Sequence, residues 1–358
     1  MLNKFSPTQL LGMGFAFLQR FQQQRIRTFS LLFAVGFSLT LAVSACSPSA
    51  SNNGTQETTS PSPAASGTTV HIGYQKASTV LYALKAKGEL EKAFAASGSS
   101  VTWSEFPAGP PLLEALNSGS IDFGYTGESP PIFAQAGGVP LVYVAYDPWS
   151  PKAEAILVPK DSPIKSVAEL KGKKIAFAKG SNANYLLVKA LEKAGVNYSD
   201  IQRVTLTPAD ARAVFERKKV DAWAIWDPYL AVAEAATGAR TLTDAMGLAP
   251  NRGYYLAAKS FVDAKPDALK IVLDKVKEVS NWAKNNPGEV AKLLSPALGI
   301  DAPVLEIAEK RRKYDVLPLT DEVITKQQEV ADTFYKIKLI PKEIKVKEIV
   351  WQGKVNNS

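Results

Sequence analysis

The chain is poor in the two residue types that most metal and covalent chemistry needs: 358 residues contain one cysteine, Cys46, and one histidine, His71. One thiol excludes an intrachain disulfide framework and any cysteine-rich zinc or iron–sulfur site. One imidazole excludes every catalytic or metal constellation that requires two. Neither GxGxxG nor GxxxxGK[ST] occurs, so nothing suggests a nucleotide phosphate. Acidic side chains are absent from residues 1–46, and the first is Glu57.

What is present has a globular composition, 46% hydrophobic and 21% charged, over a length that suits one large or two ordinary domains. The formal charge of +8 invites a nucleic-acid or anionic-membrane reading. The positions of the charges argue otherwise. Lys4, Arg20, Arg25 and Arg27 all precede Cys46, and without residues 1–45 there remain 38 basic against 34 acidic side chains. These alternate on helix surfaces, as at Glu306, Glu309, Lys310, Arg311 and Arg312, and no basic stripe interleaved with aromatics survives. A nucleic-acid partner is not expected.

Basic residues, an uncharged run from Phe29 to Ala45, then small residues describe an export signal over 1–45. The run is short for a membrane span, which wants about 20 apolar residues. It ends Leu41-Ala42-Val43-Ser44-Ala45-Cys46, which resembles a bacterial lipobox whose cysteine is lipidated and becomes the mature N-terminus. Ordinary cleavage after Ala45 is the alternative; the chain's one cysteine at the one position that needs it favours lipidation. Residues 46–68, rich in Ser, Thr, Pro, Ala and Gly, cannot bury enough surface to offset their ordering entropy and read as a flexible tether.

From Val70 onward, β-branched runs alternate with helical patterns, which predicts βαβ units and mostly parallel sheets. Strands are expected at Val70–Tyr74, Val101–Phe106, Ile121–Tyr125 and Leu141–Ala145, with Pro110 and Pro111 opening a helix. The pattern then restarts. Lys174–Lys179 aligns with His71–Lys76 at a spacing of 103, and Val220–Pro228 aligns with Ile121–Ser129 at 99. Ser166-Val167-Ala168-Glu169 and Thr207-Pro208-Ala209-Asp210 have the order that opens helices. Gly253–Ala258 reads as a strand returning to the first half, followed by amphipathic helices marked by Leu269, Val272, Leu273, Val276, Val279 and Ala283, and by Ile324, Val330, Ala331, Phe334 and Tyr335. The expected layout is lobe 1 over 69–155, lobe 2 over 156–250, and a return to lobe 1 over 251–358.

Ligands of open α/β sheets bind beyond the carboxyl ends of the strands. The exits there are Gln75-Lys76-Ala77-Ser78-Thr79 and Gly180-Ser181-Asn182, each opening a helix whose N-terminus favours an anion. For Ser78, Thr79, Ser181 and Asn182, capping their own helices is the competing role. The later exits are Gly127-Glu128 and Trp226-Asp227. Trp226 offers an apolar wall. Glu128 and Asp227 lack the nucleophile that an acid–base pair would serve, and fit a ligand ammonium or nearby loop N–H groups instead. Lys76 pairs with an anion, pairs with a carboxylate, or is simply solvated.

Several strings together resemble a known family: Gly73-Tyr74-Gln75-Lys76, Phe106-Pro107-Ala108-Gly109-Pro110, Thr126-Gly127-Glu128, Leu206-Thr207-Pro208-Ala209-Asp210-Ala211-Arg212 and Asp221-Ala222-Trp223-Ala224-Ile225-Trp226-Asp227-Pro228-Tyr229. From about Val70 to Trp351 the chain is similar to the aliphatic sulfonate-binding proteins of bacterial ABC importers. The resemblance implies a two-lobed periplasmic-binding fold of type II, with a ligand cleft between lobes. It implies a lining of Gln75, Ser78, Gly127, Glu128, Ser181, Trp226 and Asp227, no cofactor or metal, and an ABC permease as partner. The family more often has Asp where Glu128 stands and Gly-Ser-Ser where Gly180-Ser181-Asn182 stands, which leaves the ligand within the class open.

A sulfonate is always ionised and donates no hydrogen bond, so donors alone, without a buried compensating charge, are expected to hold it. The expectation is therefore a monomeric, membrane-tethered receptor on the outer face of the cytoplasmic membrane or in the periplasm, with no enzymatic activity. Taurine, nitrate or a pyrimidine precursor are alternative ligands; an exported enzyme using Glu128 and Asp227, or a sensor lipoprotein, are alternatives from other classes.

Overall fold

A computed structural model describes residues 67–353. The expected export signal, Cys46 and nearly all of the tether lie outside the described residues. The first segment runs β1 (Thr69–Tyr74), α1 (Thr79–Lys87), α2 (Glu89–Ala95), β2 (Ser100–Glu105), α3 (Gly109–Asn117), β3 (Phe123–Gly127), α4 (Ser129–Ala136) and β4 (Leu141–Tyr146). The second runs β5 (Glu154–Val158), β6 (Lys174–Phe177), α5 (Asn182–Lys193), β7 (Gln202–Thr205), α6 (Pro208–Glu216), β8 (Ala222–Trp226), α7 (Tyr229–Thr237) and β9 (Arg240–Asp244). The chain then returns as β10 (Gly253–Ala258) and ends in α8 (Lys259–Ala264), α9 (Pro266–Asn285), α10 (Pro287–Leu298), α11 (Ala302–Arg311) and α12 (Asp321–Lys336).

Two five-stranded sheets result, ordered β2-β1-β3-β10-β4 and β7-β6-β8-β5-β9. Position by position the orders correspond, and each sheet is parallel except for one strand, β10 in the first and β5 in the second. Those two strands follow the two crossovers, residues 147–153 and 245–252. A strand that arrives from the other lobe enters without a βα unit of its own. Both are buried along their whole length, as strands covered on both faces should be, and read as continuous apolar runs after their first residue.

The internal repeat has an atomic signature. His71 N–H donates to Asp122 Oδ2 at 2.8 Å while Asp122 N–H returns to His71 O at 2.7 Å. Lys174 and Asp221 make the same reciprocal pair at 2.7 and 2.8 Å. These residues stand at the two spacings, 103 and 99, read from the sequence. Generic βα units would not reproduce a side-chain bond.

Local expectations fared unevenly. Thr207 caps α6, its Oγ1 accepting from Asp210 N–H at 3.3 Å. Ser166 opens only a one-turn 3-10 helix, Val167–Leu170; its hydroxyl donates to Glu169 Oε1 (2.9 Å) and accepts no helix N–H. The third strand begins at Phe123, two residues late, where Asp122 has turned its carboxylate back to β1. On α9 the expected stripe is buried; on α12, Tyr335 is exposed while Val330, Ala331 and Phe334 pack inward. The C-terminal helices also do more than cover lobe 1. Arg311, at the end of α11, bonds to Glu234 on α7 of lobe 2 at 2.5 Å, while Thr79 of α1 donates to Glu309 at 3.0 Å. Helix α11 straps the lobes together.

Candidate functional site

One cleft collects the strand exits of both lobes; it encloses about 780 Å³, solvent at its mouth included. Gln75, Ser78, Thr79 and Gly127 line it from the first lobe, and Ser181, Asn182 and Trp226 from the second. On the first side the chain turns sharply after β1. Ser78 N–H donates to Gln75 O (2.8 Å), and Gln75 N–H donates back to Ser78 Oγ (3.2 Å). Since that hydroxyl closes the turn, α1 begins with no side-chain cap, leaving the first N–H groups of a helix without a protein partner on the cleft wall. Gln75 Nε2 donates to Tyr125 O at 2.9 Å, which fixes the amide at the edge of the cleft.

On the second side Ser181 is a true cap, its Oγ accepting from Asn184 N–H at 3.4 Å and donating to Ala178 O at 2.6 Å. Asn182 does something the sequence did not suggest. Its Nδ2 donates to Glu128 Oε2 (2.6 Å) and Asn251 Oδ1 (3.1 Å), and its Oδ1 accepts from Ser129 N–H (3.2 Å), the first amide of α4. A side chain of lobe 2 thus caps a helix of lobe 1. Gly127 makes this possible, because a Cβ there would lie 2.1 Å from the Asn182 amide.

Four expected site residues stand elsewhere. Lys76 is partly exposed and off the cleft wall. Gly180 is buried behind it, at φ +71° and against the Phe133 ring; its freedom serves the turn, and its N–H donates to Asn184 Oδ1 at 3.1 Å. Glu128 and Asp227 are fully buried and do not line the cleft. Glu128 Oε2 accepts from Asn182 and from Arg252 N–H (2.8 Å), while Oε1 meets no donor. Asp227 Oδ1 accepts from Ala231 N–H at 3.0 Å and from Arg311 at 3.4 Å. Burial pushes both carboxyls up, Glu128 to about 8 despite the amides bonded to it, and Asp227 to about 6 despite Arg311 and Arg312. Both hold structure together, the second of the two roles the sequence left open to them.

The two crossovers supply what sequence reasoning missed. Asp147, Ser150, Asn251 and Arg252 line the cleft, as do Gly253 at the start of β10 and Arg312 and Tyr314 from the segment after α11. Asn251, at φ +42°, donates through Nδ2 to Ser150 O at 2.8 Å and so joins one crossover to the other. Asp147 accepts from Gly253 N–H (2.6 Å) and from the Tyr125 hydroxyl (2.5 Å); burial raises it to about 6. The expectation that the site lacks a compensating charge is corrected: two guanidinium groups stand on its wall. No motif marks these residues. They converge only because both crossovers and the α11 strap pass the same point. Among the described residues no cluster of His, Cys, Asp and Glu is arranged to hold a metal ion.

This architecture has counterparts. Residues 94–290 match the family described as NMT1/THI5 like. A relative in Escherichia coli (strain K12), bearing the name of an aliphatic sulfonates-binding protein, is 45% identical over 284 residues, 79% of this chain and 88% of its own. The chain belongs to the aliphatic sulfonate-binding protein family. Among solved structures, the alkanesulfonate-binding protein SsuA of Xanthomonas axonopodis pv. citri, bound to MOPS, is 42% identical with a TM-score of 0.77, over 80% of this chain and 99% of that one. The periplasmic aliphatic sulphonate binding protein SsuA of Escherichia coli is 44% identical with a TM-score of 0.73, over 81% and 94%. Both place the fold in the two-lobed type II class expected from the sequence.

Proposed function

We propose that this protein is an extracytoplasmic receptor that captures aliphatic sulfonates between its lobes and hands them to an ABC importer. The observation that carries the reading is the pairing of strand exits. Ser78, Thr79 and the uncapped start of α1 face Ser181 and the start of α5 across a cleft with an apolar wall at Trp226. Such a site offers donors to a head group that only accepts, and apolar surface to its tail. The relatives' names support the same ligand class and a binding role without catalysis. Export, lipidation at Cys46 and a monomeric state belong to the same proposal and rest on the sequence. Taurine is the less favoured ligand, since Glu128 and Asp227, the carboxylates the sequence offered for its ammonium, are turned away from the cleft, and Asp147, which does line it, is bonded to Gly253 N–H and the Tyr125 hydroxyl.

Calorimetric titration of the body, residues 69–358, with ethanesulfonate, longer alkanesulfonates, taurine and nitrate tests this. Saturable binding of alkanesulfonates without turnover is expected. Failure to bind any sulfonate refutes the reading, binding of taurine alone replaces its ligand, and product release replaces the receptor with an enzyme.

A further inference from the structure

We propose that Arg252 is the specificity-determining charge of the cleft, a guanidinium that makes no ion pair and keeps unfilled N–H groups with which to hold an ionised head group. The proposal rests on the receptor reading for the location of the ligand, and adds what selects it. Arg252 is 5% exposed and lines the cleft. Among the described residues it makes no ion pair, and its Nε and Nη1 have no hydrogen-bond partner. Its Cζ lies 4.9 Å from the Tyr146 ring centroid and 5.3 Å from that of Trp149. Two aromatic faces stabilise a cation without cancelling its charge.

The neighbouring acids are otherwise engaged. Glu128 bonds to the backbone N–H of Arg252, not to its side chain, and burial keeps that carboxyl largely protonated at neutral pH. Asp147 feels the Arg252 charge but spends its hydrogen bonds on Tyr125 and Gly253 and makes no ion pair with the guanidinium. The contrast with Arg311 is instructive, because that guanidinium is fully committed to Asp227 and Glu234. Arg252 is also held rigidly, with its own amide on Glu128, Asn251 tied to the other crossover, and Gly253 on Asp147. Tyr254 bonds to the guanidinium but carries no charge to balance it; a buried cation with unfilled N–H groups is costly, and an anion entering the cleft relieves the cost. A neutral isostere does not. The ligand class that gains most is a small, permanently ionised oxyanion.

The test titrates wild type, Arg252→Gln and Arg252→Lys with ethanesulfonate and with nitrate at several salt concentrations, alongside thermal melts. Loss of a charge-assisted bond predicts affinity for ethanesulfonate weaker by roughly 10- to 100-fold in Arg252→Gln. It also predicts a flatter salt dependence, and partial recovery of both in Arg252→Lys. A Kd in Arg252→Gln within about twofold of wild type overturns the proposal, as does an unchanged salt slope. A purely structural role would lower the melting temperature without altering that slope. If wild type binds nitrate but no sulfonate and the arginine dependence holds for nitrate, the proposal stands and the sulfonate reading falls; if wild type binds neither anion, both fall.

Discussion

Glu154 and Glu128 make the sharpest demand on this structure. Both are fully buried; neither Glu154 oxygen nor Glu128 Oε1 meets a donor, and the Glu128 charge bears on Glu154. They belong to different lobes, Glu154 opening β5 and Glu128 preceding α4. Burial raises both carboxyls, Glu128 to about 8 from an ordinary 4.5 and Glu154 well above it. Groups whose native pKa is raised contribute their full stability below the unfolded value and lose it as pH climbs toward the native value. Each carboxyl that stays protonated in the fold but ionises in the unfolded chain removes ~1.4 kcal/mol of stability per pH unit. Replacing Glu154 with Gln removes one such group and leaves a side chain of nearly the same size and no charge. Urea unfolding at pH 5.5, 6.5 and 7.5 should then show wild type losing more stability than Glu154→Gln as pH rises, with a difference in slope of at most ~1.4 kcal/mol per pH unit. Curves that run parallel to within ~0.5 kcal/mol would refute the claim that Glu154 is held protonated.

Two further outcomes follow from the cleft. Trp226→Ala should weaken long alkanesulfonates more than ethanesulfonate, by up to ~0.8 kcal/mol for each methylene that loses the indole, measured by calorimetry; equal losses along the series would mean that Trp226 serves only the core. Asn182→Ala deletes three bonds between the lobes and leaves Ser129 N–H and Glu128 Oε2 short of a partner. It should lower stability by ~2–4 kcal/mol and enlarge the radius of gyration in X-ray scattering of the ligand-free protein, and an unchanged scattering profile would rule out the clasp.

The architecture was legible because it rests on short-range regularities. Period-2 apolar runs, Pro110 and Pro208 in first turns, and the Thr207 cap all act within a few residues, and the repeat compared one local pattern with another. Misreadings arose where another partner outcompeted the helix's own first N–H groups. Ser78 gave its hydroxyl to the turn before α1, and Asn182 crossed to the other lobe to cap α4. In the cleft, the donors of the strand exits could be named from sequence because the sheet itself sets where exits lie. Arg252, Arg312 and Asp147 could not.

By itself, then, the sequence determined two α/β halves, their strand exits and the kind of ligand such exits can hold, since hydrophobic period and helix-start chemistry are properties of neighbouring residues. Only the tertiary structure decided which charges meet at the cleft. Residues 147 and 252 are separated by a whole lobe in the chain, and become neighbours because both crossovers thread the same hinge. Whether a carboxylate faces ligand or core, as for Glu128 and Asp227, is likewise settled by which donors reach it through space.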